Sequence, residues 1–146
     1  MISSAVTALQ RRRRSDDELR AARASRVTEM VEQFVHDLGL LIAGCTPDLS
    51  SYLEPDEVAR LNATVRPAVV SDGLLHPDFG EYAQVRIEGD ILDDVTPLRV
   101  EVEFEDRSVR YDAQHRPLTH HRRQVRITAV VDLAASRIVR HRIAFV

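Results

Sequence analysis

The chain has 146 residues, of which 44% are hydrophobic and 29% charged, and its formal net charge is −3. This length suits one domain with a single core, and the composition excludes an intrinsically disordered chain. The longest apolar run, LGLLIAGC, is far shorter than the roughly 20 residues of a membrane span, so we expect no membrane segment.

The arrangement of residues at the start of the chain does not match a secretory leader, and the single cysteine, Cys45, excludes an internal disulfide. We therefore expect a cytoplasmic protein. All 20 basic residues are arginine, which excludes sites that need a Schiff-base lysine or a phosphate-loop lysine. There is also no nucleophile elbow, glycine-rich phosphate loop or His-Glu-x-x-His pattern, and we expect no cofactor.

Residues 1–14 are predicted to form a flexible basic arm, and residues 15–146 a single α+β domain. The arm contains a run of four arginines that is a candidate contact for a partner or for nucleic acid: Arg11, Arg12, Arg13 and Arg14. Acidic residues follow this run at once, and aromatic residues make up only 5% of the chain, so a nucleic-acid partner is disfavoured.

A long helix is predicted after the arm. The stretch from Ser15 to Glu18 fits a capping box, in which the serine and the glutamate satisfy backbone amides at the helix start. Gly44 suits the C-cap. Between them, apolar residues recur at three- and four-residue steps and should form the buried stripe: Val27, Met30, Val31, Phe34, Val35, Leu38, Leu41 and Ile42.

A second, shorter helix is predicted to begin at Pro55, which suits a first helical position, and to end near Pro67. Its inner face should consist of Val58, Leu61 and Val65. The stretch VVSDGLLHPDFGEY that follows is predicted to be loop.

From residue 82 onward the apolar residues alternate with polar ones, which predicts about four half-buried antiparallel strands. Asp106 interrupts the second strand, at a place where a bulge is expected. The inward-facing positions are predicted to be Val85 and Ile87; Leu98, Val100, Val102 and Phe104; Val125, Ile127, Ala129 and Val131; and Val139, His141, Ile143 and Phe145.

The charge is distributed unevenly over these strands. Residues 72–106 hold eleven acidic residues and two arginines, whereas residues 107–142 hold nine arginines and two aspartates. The acidic face of LRVEVEFE is therefore expected to lie opposite the basic faces of RRQVRIT and RIVRHRI within one sheet. Alternatively, the same complementarity joins two subunits face to face.

Three histidines between residues 115 and 121 suggest a metal site at first sight. His120 and His121 are neighbours on a strand, so their side chains point to opposite faces and cannot hold one ion together. His115 lies in a turn. We therefore predict surface histidines and no metal.

His141 is the one polar residue on an otherwise apolar strand face. A buried neutral histidine bonded to a carboxylate or carbonyl is one interpretation, and a catalytic base in a pocket is the other. The predicted ligand pocket comprises Tyr52, Tyr82 and His141.

The order of two helices followed by a curved antiparallel sheet resembles the cystatin-like cone fold of the nuclear transport factor two superfamily. The resemblance is carried by VTEMVEQFVHDLGLLIAG, PDEVARLNATV and the closing hairpin RRQVRITAVVDLAASRIVRHRIAFV. It implies either an isomerase, cyclase or dehydratase, or a non-enzymatic domain that dimerises or binds cargo. The chain departs from the enzyme members because His141 is its only inward polar group, whereas their pockets usually carry an Asp/His or Asp/Tyr set.

The leading hypothesis is a non-catalytic binding or assembly domain that forms a homodimer through its sheet and accepts a small hydrophobic ligand or a protein partner. The alternative is a small-molecule isomerase, cyclase or dehydratase that uses His141 as a base in a pocket between helices and sheet.

Overall fold

In the part of the chain that the structure describes, two helices combine with two antiparallel sheets, which confirms the predicted α+β class. A computed structural model describes residues 2–68, 75–79, 84–120 and 122–145. The helices are α1 (Ile2–Ile42) and α2 (Pro55–Val65), followed by a 3-10 turn at Arg66–Ala68. The strands are β1 (Leu75–His76), β2 (Gln84–Glu88), β3 (Leu98–Asp106), β4 (Val109–Tyr111), β5 (Pro117–His120), β6 (Arg123–Asp132) and β7 (Arg137–Phe145).

The predicted start of α1 at Ser15 is wrong, because the helix begins at Ile2 and has 41 residues, a length of about 60 Å. The residues before Ser15 are mostly strong helix formers such as Ala, Leu, Gln and Arg. The pattern taken for a capping box therefore lies inside a continuous helix. Residues 2–14, assigned to an arm by the sequence, continue this helix, and the domain boundary at residue 15 stays a prediction.

The predicted end of α1 is confirmed. Gly44 has a φ of 88°, a left-handed conformation that favours glycine. Its amide donates to the Leu41 carbonyl at 3.0 Å, and the Cys45 amide donates to the Leu40 carbonyl at 2.9 Å. These two bonds satisfy the last carbonyls of α1 in a Schellman motif and turn the chain toward α2.

One hydrophobic core lies between the helices and the four-stranded sheet. The stripe predicted on α1 is buried except at Ile42, which is half-buried, and it packs against the inward residues of β3 and β6. Leu61 and Val65 of α2 complete this core, as predicted, and Val58 packs against its edge. Pro55 occupies the first turn of α2, also as predicted.

The strand order of the larger sheet is β2-β3-β6-β7, with antiparallel neighbours throughout. A register shift between Val130 and Val131 changes the alternation of β7 at its start. Ile138 consequently pairs with Val131 and is fully buried, whereas Val139 is half-buried. The prediction that Val139 faces the core is therefore wrong, because Ile138 takes that position, while His141 is buried as expected.

The smaller sheet, with strand order β1-β4-β5, was not predicted. Its strands have two to four residues. β1 lies in the stretch predicted to be loop, whereas β5 contains His120, which was expected on a strand. The bulge expected at Asp106 is also absent from the described β3–β6 pairing, which continues without a shift to Asp106 opposite Arg123.

The expected ion pairs across the sheet are confirmed for β3 with β6, and β2 adds a pair that was not predicted. Arg86 pairs with Glu101, and Arg126 lies 3.5 Å from Glu101 and 2.5 Å from Glu103. The expectation for β7 is wrong, because β7 neighbours β6 and not β3. Arg140 and Arg142 therefore lie opposite Val130 and Thr128, away from the acidic strand.

Candidate ligand-binding cavity

An apolar cavity of about 240 Å³ lies between the C-terminal part of α1, the end of α2 and the ends of β3, β6 and β7. Side chains from each of these elements line the cavity. The lining residues are Leu38, Ile42, Thr64, Val65, Pro67, Phe79, Phe104, Asp106, Arg123, Val125, Ile143 and Phe145.

Asp106 and Arg123 form the only ion pair among the described lining residues. They are cross-strand neighbours, and the Arg123 Nε donates to the Asp106 Oδ2 at 3.2 Å. Asp106 is only 4% exposed, and its other oxygen accepts from the Ser108 amide at 3.0 Å. Because both oxygens of this buried carboxylate are occupied, the pair gives the cavity one fixed polar edge.

The Arg123 guanidinium also covers an aromatic ring at the cavity mouth. Its central carbon lies 4.1 Å from the ring centroid of Phe145, a cation–π contact. Phe145 is 59% exposed although it follows the inward alternation of β7. An exposed apolar ring beside an arginine is a surface that an amphipathic molecule can cover.

A more polar groove of about 300 Å³ continues from the same edge. It shares Ile42, Pro67, Asp106 and Arg123 with the cavity and adds Leu75, Ser108 and Arg110. The exposed Arg110 forms no ion pair with any residue that the structure describes. An apolar cavity thus opens beside two arginines, and only one of them has a carboxylate partner within the described residues.

The inner wall of the cavity is tightly packed at Gly39. The rings of Phe79 and Phe104 lie with centroids 4.9 Å apart, and a Cβ added to Gly39 would lie 3.1 Å from the Phe79 ring. The absence of a side chain at Gly39 therefore lets Phe79 reach α1 and close one side of the cavity.

His141 is only 3% exposed and contacts a carboxylate. Of the two interpretations given for this residue, the contact agrees with that of a buried histidine beside a carboxylate. Its Nδ1 lies 2.5 Å from the Glu57 Oε2, although the alignment of the two groups falls outside hydrogen-bond geometry. The same Glu57 oxygen accepts from the His141 amide at 3.1 Å, and Arg60 donates to the His141 carbonyl. Burial lowers the pKa of His141, and Glu57 opposes that shift only in part, so the ring is neutral at pH 7.

Tyr52 belongs to a second buried polar group. Its hydroxyl donates to the Asp37 Oδ2 at 2.7 Å, and Gln33 donates to the other Asp37 oxygen at 3.0 Å. Burial, and then the bond and charge of Asp37, raise the pKa of Tyr52 far above its usual range. The tyrosine is therefore a protonated hydrogen-bond donor that joins the segment before α2 to α1.

Two of the three residues predicted to form a ligand pocket, Tyr52 and His141, do not line the cavity. Tyr52 and His141 both pack against the ring of Phe34, with centroids at 6.4 Å and 5.5 Å, so core side chains surround them. Tyr82 lies outside the described residues. Arg11, Arg12, Arg13 and Arg14 are exposed on α1, far along the chain from these side chains.

Sequence reasoning missed Asp106 and Arg123 as site residues, although a signal was present. Asp106 continues the inward alternation of Leu98, Val100, Val102 and Phe104 by one more step. The alternation therefore predicts a carboxylate on the apolar face of the sheet. Arg123 could not be identified alone, because arginines are frequent throughout that part of the chain.

No group of three or more His, Cys, Asp or Glu side chains converges on a possible metal position within the described residues. His115 has a φ of 61° in the turn between β4 and β5, and His121 lies outside the described residues. None of the helices described has the length and apolarity that crossing a membrane requires.

Comparisons of the chain with protein-family models, with curated proteins and with solved structures gave no significant match.

Proposed function

We propose that the protein is a non-catalytic binding domain that holds a small amphipathic carboxylate. The apolar part of this ligand occupies the cavity between α1, α2 and the sheet, and the carboxylate of the ligand contacts Arg123 and Arg110. The observation that carries this proposal is the position of the Asp106–Arg123 pair at the junction of an apolar cavity and a polar groove.

The chemistry of the site favours an anionic head group. Asp106 accepts a hydrogen bond from the Nε of Arg123. The terminal nitrogens of Arg123 donate no hydrogen bond to a described residue. A guanidinium offers five N–H donors, so Arg123 retains donors for a second carboxylate. Arg110 adds a second positive charge across the groove.

The size of the cavity favours a short molecule. Pockets that take drug-sized ligands measure roughly 300–1,000 Å³, whereas this cavity measures about 240 Å³. A medium-length alkyl or arylalkyl chain suits this volume, and a fused multi-ring body is too large for the cavity alone.

Titration calorimetry with hexanoate, octanoate, decanoate and the matching alcohols tests the proposal. We expect an optimum in chain length, and each carboxylate should bind more tightly than its alcohol. Replacing Arg110 by Gln should remove most of this preference and leave alcohol binding unchanged, since Arg110 contacts only the head group.

A matched pair of variants tests the cavity itself. Ile143→Phe fills the cavity, whereas Ile87→Phe places the same ring on β2, away from the lining residues. Binding should be lost in the first variant and retained in the second. If neither variant changes the affinity, or if no chain length binds, the proposal is wrong.

The catalytic alternative with His141 as base stays a prediction and is the weaker one. A general base must reach the proton that it abstracts. The buried contacts of His141 with Glu57 and Phe34, and its absence from the cavity wall, weigh against that role. Membership of the nuclear transport factor two superfamily and a cytoplasmic location likewise stay predictions.

Homodimerisation through the sheet is a second proposal, and one observation favours it. Arg140 and Arg142 lie exposed on the outer face of β7 and form no ion pair with described residues. In a face-to-face dimer, they could pair with outward acids of the partner's β3. Against this, Glu101 and Glu103 already have partners within the chain. Loss of a dimer in the variant Arg140→Glu with Arg142→Glu would support the sheet interface.

A further inference from the structure

The N-terminal half of α1 extends away from the domain. Among the described residues, the first hydrogen bond and ion pair that α1 makes with the β-rich part are those of Arg23, which donates to the Ile91 carbonyl at 2.9 Å and lies 2.5 Å from Asp94. From Ser4 to Ala22, every residue except the half-buried Asp16 is exposed. This segment is about 30 Å long at 1.5 Å per residue.

An isolated helix of this length needs a packing partner, because most helical stability in proteins comes from burying one face. The segment offers such a face in part. Val6 is 47% exposed, Leu9 58% and Leu19 41%, and they are among the few large apolar side chains in the described residues with so much exposure.

The charges of the same segment are arranged in two blocks. Arg11–Arg14 is followed, after Ser15, by Asp16, Asp17 and Glu18. Among the described residues, the arginines of the first block form no ion pair, and the only pair of the second is Asp17 with Arg20. Arginine placed before the acid is also the less favourable order for pairing along one helix. Both blocks are therefore free to meet opposite charges on another chain.

We infer that the segment from Val6 to Ala22 forms an antiparallel helix pair with the same segment of a second copy of this chain. A two-fold axis at Arg14 places Arg11 and Arg12 of each copy beside Asp17 and Asp16 of the other, while Arg14 lies level with its own equivalent. A parallel pair would instead place arginine beside arginine and acid beside acid. The charge pattern thus selects both the partner and the direction.

The apolar residues agree with this register. Leu9, Arg12, Asp16 and Leu19 follow each other at steps of three, four and three residues, which is the spacing of a coiled-coil seam. In the antiparallel pair, Leu9 lies beside the partner's Leu19, and Arg12 lies beside the partner's Asp16. The same face continues into the stripe at Val27 and Met30 that packs on the domain, so the pair ends where the domain begins.

Molar mass, measured by light scattering and sedimentation over a concentration series, tests the inference. The full chain should be a dimer that dissociates on dilution. Arg11→Glu with Arg12→Glu should raise the dissociation constant more than about tenfold, because like charges then meet. Asp16→Arg with Asp17→Arg should have the same effect.

Two results distinguish specific pairing from a general charge effect. The chain that carries all four changes has exchanged its charges and should dimerise again. A mixture of the two double variants should form a heterodimer. All of these residues lie outside the core, so the thermal unfolding of the domain serves as the folding control.

Cysteine cross-linking tests the direction of the pair, in a background with Cys45→Ser. Under mild oxidation, a mixture of Leu9→Cys and Leu19→Cys chains should form the mixed disulfide, and neither chain alone should cross-link efficiently. Efficient linking of either chain to itself would overturn the antiparallel register.

Other outcomes overturn the inference altogether. These are a monomer at all concentrations, a dimer lost only when Arg140 and Arg142 are reversed, and a monomer whose exposed arginines bind a DNA or RNA oligonucleotide.

Discussion

Nδ1 of His141 on β7 lies 2.5 Å from Oε2 of Glu57 on α2, and the same carboxylate oxygen accepts the His141 amide. This contact joins β7 to α2. Since the histidine is buried and neutral at pH 7, protonating it in the folded state is unfavourable.

The first prediction concerns the pH dependence of stability. The pKa of His141 is lowered by folding from about 6.5, so the unfolded chain takes up this proton first as the pH falls. The contribution of His141 to stability is complete above about pH 6.5 and is lost as the pH falls toward its folded pKa. Urea unfolding between pH 5 and about 7 should therefore show a smaller slope of stability against pH for His141→Leu.

The control for this measurement is His36→Leu, because His36 lies at an exposed position of α1. It should keep the wild-type slope. An unchanged slope in His141→Leu would mean that another group determines the acid sensitivity.

The burial of His141 illustrates what alternation alone can predict. A period of two placed Val100, Ile127 and His141 on the apolar face, and all three are buried. The same rule failed for Ile138 and Val139, because a single register shift reverses the facing of a strand and leaves no mark in the residue pattern. Short strands such as β1 and β4 also escape detection, since two or three residues show no period.

The partners of buried polar groups could not be predicted. Glu57 lies 84 positions from His141, and Asp106 lies 17 positions from Arg123. These contacts depend on how the helices and strands are placed in space, which the local pattern does not contain. A pocket between helices and sheet was expected, but its lining residues escaped prediction for the same reason, because they come from elements far apart in the chain.

The second prediction concerns Tyr52 and Asp37. Replacing Tyr52 by Phe removes the hydroxyl that donates to the Asp37 Oδ2, so this buried carboxylate oxygen loses its hydrogen bond from Tyr52. We expect a loss of about 1–3 kcal/mol in the free energy of unfolding, measured by urea denaturation.

Tyr111→Phe is the matched control. Tyr111 is half-buried on β4, and its hydroxyl forms no hydrogen bond to a described residue. Its removal should change stability by less than about 0.5 kcal/mol. Equal losses in the two variants would show that the Tyr52–Asp37 bond is not the cause.

The third prediction concerns the end of α1. Gly44 has a φ of 88°, which a side chain with a Cβ adopts only at a cost. Gly44→Ala should lose about 1 kcal/mol of stability. Gly44→Asn should lose less, because asparagine tolerates the left-handed region better than alanine does. If the two variants melt at the same temperature, backbone conformation is not the limiting factor at this position.

The last prediction concerns the ion pair between the cavity and the groove. Arg123→Gln removes the charged partner of Asp106, which is buried, but the Arg123 side chain is 42% exposed and water can replace part of its contact. The loss in stability should therefore be about 1–2 kcal/mol, below the 3–5 kcal/mol typical of a fully buried pair. Asp106→Asn should also destabilise the fold. The double variant should lose less than the two single losses together, by roughly 0.5–3 kcal/mol, because neither group is then left without its partner. Strict additivity in this double-mutant cycle would mean that the two side chains do not interact in solution, and the cavity would then lack the fixed polar edge assigned to it.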